Sequence, residues 1–325
     1  MGSLPPHRLV EAPEADSDRL SASAVPVGAP GTWVDYLRPL RFDHWIKNLV
    51  VPAGSALALA AQGVSPDWGV LGAILAAFLL SGLVSSVNYA INEILDAPYD
   101  ARHPVKRRRP IPSGRVRVGP LLALAAAIGL GTFAIAAWWF PPAFVLANLA
   151  LFVAALLYNL PPIRLKDWPY LDAVVESITN PIRVAIGWYA VALPASESPP
   201  LLLLAAVWAF GAFLMAGKRL AELRLLGARA AAYRRTFQAY SARTLAAVQL
   251  GHALLGLAAT AWLFATRRPQ LLPGLPVVAL IVLWTVKMTF EPESPLIDPE
   301  HLYRRPLFLL LTLAAFAAMV YLAAG

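Results

Sequence analysis

The sequence predicts an all-α fold, a polytopic transmembrane helix bundle of about nine spans, and three observations predict it. Hydrophobic residues fill 58% of the 325 positions and charged residues only 14%, and mean hydropathy is +0.60. Apolar runs recur along nearly the whole chain, several of them near the roughly 20 residues a helix needs to cross a bilayer. The runs are rich in Ala, Leu, Gly and Val and show no period-2 alternation, which argues against a β-barrel. A helix also satisfies its own backbone hydrogen bonds in lipid, and an open sheet cannot.

Residues 1–32 are rich in Pro, Ala, Ser and Asp and hold no apolar run. No basic segment leads into a hydrophobic stretch, so they read as a disordered cytoplasmic tail rather than a cleaved signal peptide. Residues 33–325 form one helical domain. Spans are expected at 45–62, 68–92, 118–139, 141–158, 171–193, 199–218, 243–266, 272–290 and 306–324. The first is short, and only Pro141-Pro142 separates the third from the fourth. Pro98 is expected to end the second helix before Asp100, leaving that carboxylate on the loop.

Charge sets the orientation. Segment 101–117 holds seven cations (Arg102, Lys106, Arg107, Arg108, Arg109, Arg115, Arg117), and segment 218–243 holds another seven. Arg164 and Lys166, then Arg304 and Arg305, occupy two further loops on that face, whereas the opposite loops hold only Arg267 and Arg268. The positive-inside rule puts the rich face and the N-terminus in the cytoplasm and Gly325 outside, in a bacterial-type plasma membrane. The net charge of +8 is thus mainly a topology signal, and nucleic acid is not needed to explain it. Cysteine is absent, which excludes disulfides and thiolate metal sites. No paired-His spacing suggests zinc, and no G-x-x-x-x-G-K-[ST] suggests a P-loop.

Chemistry concentrates at two places. Asn92, Asp96 and Asp100 recur every four residues, with Glu93 alongside; on a continuous helix the three would share a face. Oxygen ligands so spaced suit Mg²⁺, which takes a few carboxylates, waters and substrate phosphates. The alternative is a solvated acidic helix end balanced by the arginines that follow. Lys106, Arg107 and Arg109 lie in a loop framed by His103-Pro104 and by Arg109-Pro110-Ile111-Pro112-Ser113-Gly114, a shaped loop suited to phosphate. Arg108 and Arg115 read as topology determinants. A second cluster opens span five: Arg164, Lys166, Asp167, Asp172, Glu176, Asn180 and Arg183. Asp172, Glu176 and Arg183 fall close to one helical face, and ionisable groups at membrane depth face a partner or an aqueous cavity. A structural Glu176–Arg183 pair two turns apart is the alternative. Lys218, beside Arg219 and Glu222 at the end of span six, and Lys47 at the start of span one are substrate contacts or snorkelling cations.

Asn92-Glu93-Ile94-Leu95-Asp96-Ala97-Pro98-Tyr99-Asp100 resembles the N-D-x-x-D-x-x-x-D signature of the UbiA superfamily of intramembrane prenyltransferases. The following R-P-I-P-S-G, Tyr158-Asn159 and the acidic start of span five are similar to other motif regions of that superfamily. W-I-K-N at 45–48, H-P-V-K-R-R-R-P at 103–110 and G-K-R-L-A-E-L at 217–223 resemble its decaprenyl-phosphate phosphoribosyltransferase branch. Two departures stand out: Glu93 replaces the usual Asp, and 172–183 is more polar than expected of that branch.

The resemblance implies an integral-membrane, Mg²⁺-dependent transferase acting on a diphosphate donor and a polyprenyl lipid. Asn92, Glu93, Asp96 and Asp100 would hold metal, with Asp96, Asp100 and Asp172 central to catalysis. Lys106, Arg107, Arg109, Arg164 and Lys166 would contact phosphate. Asp172, Glu176 and Lys218 would hold a second metal, the donor or the acceptor, with Lys47 and Arg183 as further substrate contacts. The first expectation is phosphoribosyl transfer from phosphoribosyl diphosphate to a polyprenyl phosphate. The second is prenyl transfer from a polyprenyl diphosphate to an aromatic or other small acceptor, and the third is a non-catalytic lipid-binding or transport bundle. No nucleic-acid or protein partner is expected.

Overall fold

A computed structural model describes residues 31–101, 106–191, 198–233, 235–297 and 305–324. The rest of the expected tail, Arg102, His103 and Pro104 of the loop motif, Arg234, Arg304 and Gly325 lie outside the described residues. The helices run α1 (Trp33–Leu37), α2 (Val50–Gln62), α3 (Trp68–Asp100), α4 (Val118–Trp139), α5 (Pro142–Asn159), α6 (Leu171–Ser177), α7 (Thr179–Ala190), α8 (Leu201–Leu226), α9 (Ala230–Tyr233), α10 (Ala242–Arg267), α11 (Leu275–Thr289) and α12 (Pro306–Ala324). No strand occurs among the described residues. The chain is therefore an all-α membrane bundle.

Seven helices among the described residues are long and apolar enough to cross a membrane: α3, α4, α5, α8, α10, α11 with its 3-10 lead-in, and α12. The other two expected spans, the first and the fifth, are broken, and proline explains both breaks. A proline ring donates no N–H and crowds the carbonyl four residues earlier. Pro52 acts in this way on Asn48, and the chain enters α2 from a 3-10 helix over Phe42–Leu49. Pro181 acts on Ser177, and α6 gives way to α7 at Ile178.

Pro98 behaves differently from expectation. Helix α3 continues past it to Asp100, and the Ala101 N–H donates to the Ala97 carbonyl at 3.0 Å. One hydrogen bond is lost close to the helix end, where the next one closes the turn. Asp100 is thus a helix residue, two turns beyond Asn92.

The two broken segments pack on each other. A Cβ on Gly187 would lie 1.8 Å from the Val51 carbonyl oxygen, and one on Gly54 would lie 2.3 Å from that of Val184. Only glycine permits this backbone approach, a common device where helices meet in membranes. Ser55 Oγ seals the crossing by donating to the Gly187 carbonyl at 2.7 Å. Around it Val51, Val84, Phe144, Leu151 and Ile186 form one core. A second core of Leu40, Val87, Ile111 and Leu121 anchors the N-terminal segment and the loop after α3 against α3 and α4. Trp138, Leu283 and Leu310 remain exposed on outer faces, as a lipid-facing surface requires.

The crossing yields a test. Gly187→Ala forces the Cβ into the Val51 carbonyl and is expected to cost about 1–3 kcal/mol, the usual penalty of overpacking. Gly119→Ala, where nothing lies within 4 Å, serves as the control. Thermal unfolding in detergent should show a lowered midpoint for the first alone.

Candidate active site

The first arm is the C-terminal end of α3 together with the loop after α5. Lys166 Nζ donates to Asn92 Oδ1 at 3.0 Å, Asp96 Oδ1 at 2.8 Å, Asp96 Oδ2 at 3.0 Å and Asn159 Oδ1 at 3.0 Å. Four oxygens from two helices thus converge on one ammonium. Burial pushes the Lys166 ammonium below its ordinary range, and the Asp96 carboxylate opposes that shift. Arg164 Nη2 adds a 2.9 Å bond to Asp96, and its Nε binds Asp167 at 2.8 Å. Arg164 adopts the left-handed region at φ 35°, a conformation most residues avoid, and its guanidinium sits 4.9 Å from the Tyr99 ring centroid.

The second arm is built by α6, α8 and the segment before α10. Asp172 is fully buried. Arg219 Nε donates to its Oδ2 at 3.0 Å, and the Tyr240 hydroxyl donates to its Oδ1. Arg219 also reaches Glu222 Oε2 at 2.9 Å and Glu176 Oε2 at 3.4 Å. Burial and the bond to Asp172 push the Tyr240 phenol above its ordinary value, so it stays a donor at neutral pH. The Tyr158 hydroxyl donates to Glu176 Oε2 at 3.0 Å. Consecutive residues at the end of α5 therefore serve both arms: Tyr158 touches the second and Asn159 the first.

The remaining expected residues divide between neighbouring places. Asp100 binds Arg109 Nη1 at 2.6 Å, and Glu93 lines a cavity with Arg109 and Asn92; neither contacts the Lys166 cluster. Lys106 and Arg107 occupy a short 3-10 turn, with Arg107 exposed. Arg183 is buried, donating from Nε to Asn48 Oδ1 at 2.9 Å and from Nη1 to Thr179 at 2.7 Å. Lys218 lies 4.0 Å from Glu222, and Lys47 is exposed in the 3-10 helix that precedes α2. Arg115 clamps Asp35 at 3.0 Å and the Arg108 carbonyl at 2.8 Å, a structural role for a residue read as a topology signal.

Three groups escaped the sequence reading. Arg219 was grouped with snorkelling cations, yet it is 3% exposed and binds three carboxylates. Its signal was the i, i+3 spacing to Glu222 on an otherwise apolar helix. Glu222 is itself a buried partner in this network. Tyr240 carried no local signal, since it meets Asp172 across 68 residues.

The donor set of the first arm fits a hard cation. Its oxygens already converge on one positive charge, and they combine one carboxylate with two amide oxygens, leaving room for water and phosphate as Mg²⁺ prefers. No group of three or more His, Cys, Asp or Glu able to hold a metal occurs among the described residues, and water or phosphate oxygens would complete the coordination of a metal held here.

The sequence profile of the UbiA prenyltransferase family matches residues 49–297. Decaprenyl-phosphate phosphoribosyltransferase of Mycolicibacterium smegmatis is 34% identical over 239 residues, 71% of this chain and 70% of that protein. The enzyme of the same description from Mycobacterium tuberculosis is 33% identical over 212 residues, 64% of this chain and 67% of its own. A UbiA homolog from Archaeoglobus fulgidus, solved with DMAPP and Mg²⁺, superposes with a TM-score of 0.61 at 17% identity, covering 87% of this chain and 99% of that one. At that identity the likeness concerns the fold.

The buried network can be probed by its weakest and its central members. Tyr240→Phe removes one donor from fully buried Asp172 and should cost about 1–3 kcal/mol. Arg219→Met strands its carboxylate partners and should cost about 3–5 kcal/mol. Chemical denaturation in micelles should rank the second well below the first.

Proposed function

The chain belongs to the UbiA prenyltransferase family and is an integral-membrane transferase, and on that premise we propose that it moves phosphoribosyl from phosphoribosyl diphosphate to a polyprenyl phosphate. The observation that carries the reading is the convergence of Asn92, Asp96 and Asn159 on one cationic position, in a chain whose relatives are named for this reaction. In the transfer, the sugar C1–O bond to diphosphate breaks and its electron pair leaves with diphosphate. A phosphate oxygen of the lipid forms the new bond to C1.

Asn92 and Asp96 would hold Mg²⁺, with Asp172 and Glu176 as the second arm; when bound, the ion neutralises charge building on departing diphosphate. Lys166 and Arg164 bind Asp96 and stand ready to grip diphosphate oxygens, Arg as a fork and Lys as a point charge. Tyr158 orients Glu176, and Tyr240 with Arg219 orients Asp172. Arg183 fixes Asn48 at the entrance of α2. The apolar bundle excludes water that would otherwise hydrolyse the donor. We place the basic loops and the N-terminal segment on the cytoplasmic side of a plasma membrane, following the positive-inside rule.

The test is diphosphate release by purified protein with Mg²⁺, a polyprenyl phosphate and phosphoribosyl diphosphate, beside a prenyl diphosphate with aromatic acceptors. Turnover of the first pair is expected. Turnover of the second alone would replace this reading with prenyl transfer, and release from neither would leave a non-catalytic bundle. Asp96→Asn should lower the rate about a thousandfold, the scale of losing one preorganised charge contact, in protein that remains folded. Full activity of that variant at saturating Mg²⁺ would remove Asp96 from the site.

A further inference from the structure

Next to the first arm lies a cavity of about 250 Å³ whose walls include Arg38, Arg41, Tyr89, Asn92, Glu93 and Arg109. Three guanidiniums around so small a space suit a phosphomonoester, which accepts paired N–H donors. Each is held through one nitrogen: Arg38 Nη1 by Asp35 at 3.3 Å, Arg109 Nη1 by Asp100 at 2.6 Å, and Arg41 Nη2 by His44 and by Asp43 at 3.9 Å. The other donors of each fork are left for a ligand.

Glu93 adds a different demand. It is 6% exposed, and its Oε1 has no hydrogen-bond partner. A buried oxygen without a donor is costly. A sugar hydroxyl entering the cavity can supply that donor, and a prenyl chain cannot. Asn92 joins the two places, lining this cavity while its Oδ1 faces Lys166. A ligand laid across Asn92 would therefore meet a metal–diphosphate site on one side and a hydroxyl acceptor with three arginines on the other.

We propose that this cavity is the sugar-phosphate half of the donor site: Glu93 accepts a ribose hydroxyl, and Arg38, Arg41 and Arg109 grip the 5-phosphate of phosphoribosyl diphosphate. The inference rests on the phosphoribosyl reading above and gives it a structural cause. A prenyl diphosphate carries neither a phosphate apart from its diphosphate nor a hydroxyl and would leave Glu93 Oε1 unsatisfied.

The experiment measures binding of ribose 5-phosphate and of inorganic phosphate to the full chain in lipid nanodiscs without Mg²⁺. Wild type should prefer ribose 5-phosphate. Glu93→Leu should lose that preference while keeping its affinity for phosphate. Arg41→Gln, and Arg38→Gln at a more exposed position, should each weaken both ligands about tenfold, the scale of one charge-assisted hydrogen bond. Arg41→Lys should restore part of that loss. Equal affinities in wild type and all variants, or binding of phosphate as an adventitious ion only, would overturn the inference. Wild-type turnover of phosphoribosyl diphosphate with an unchanged KM in Arg38→Gln and Glu93→Leu would also overturn it and leave the transferase reading standing. Absence of that turnover in wild type would instead defeat the reading itself.

Discussion

The cost of burying charge governs this molecule. An apolar bundle disfavours a lone carboxylate, and three carboxylates of the candidate site arrive with a cation. Asp96 is met by Lys166 and Arg164, Asp100 by Arg109, and Asp172 by Arg219. Such pairs add little net stability, because desolvation consumes most of the attraction. What they provide is position. The cations hold the carboxylates at fixed points before any substrate arrives, and their remaining donors are of the type that binds diphosphate.

The two proline breaks supply the shape. If spans one and five were unbroken helices, Asn48 and Arg183 would run past each other as ordinary neighbours. Breaking each chain near membrane depth lets α2 and α7 close to backbone contact at Gly54 and Gly187, and it leaves α6 free to carry Asp172 and Glu176 at its own angle. Irregular backbone in a membrane bundle is tolerated where it is buried in protein, and Asn48 and Ser177 are both buried. The end of α5 then acts as the hinge pin between the arms, with Tyr158 and Asn159 serving one each. The three non-glycine residues with positive φ among the described residues are Arg41, Arg164 and Tyr170. Two of them carry site arginines, and the third donates its backbone N–H to Tyr240. Backbone strain gathers where function needs a fixed side chain.

Much of this was legible in the sequence, for physical reasons that differ by residue. Long apolar runs announce membrane helices because lipid leaves no alternative, and Asp96 announces itself by charge at a helix mouth, with Asn92 one turn before it. The i, i+4 stacking of Asn92 and Asp96 survives in the structure because Pro98 sits too late to break their turn. The breaks at Asn48 and Ser177 were readable only in hindsight, since Pro98, Pro52 and Pro181 look alike in sequence and differ in what packs around them. Arg219 and Glu93 were harder. Arg219 stands where a snorkelling cation would, and its burial depends on acids 43 and 47 residues away. Glu93 adjoins Asn92 in sequence, but a helix turns neighbours apart, so it faces a cavity that no motif describes.

The central claim is that the α3 and α6 arms close on one metal–diphosphate group. Electron paramagnetic resonance of Mn²⁺, bound in place of Mg²⁺ with diphosphate present, tests it most directly. The account predicts that Asp96→Asn and Asp172→Asn each abolish the bound Mn²⁺–diphosphate signal in protein that remains folded. A full signal in folded Asp172→Asn would show that the first arm works alone and would contradict the account.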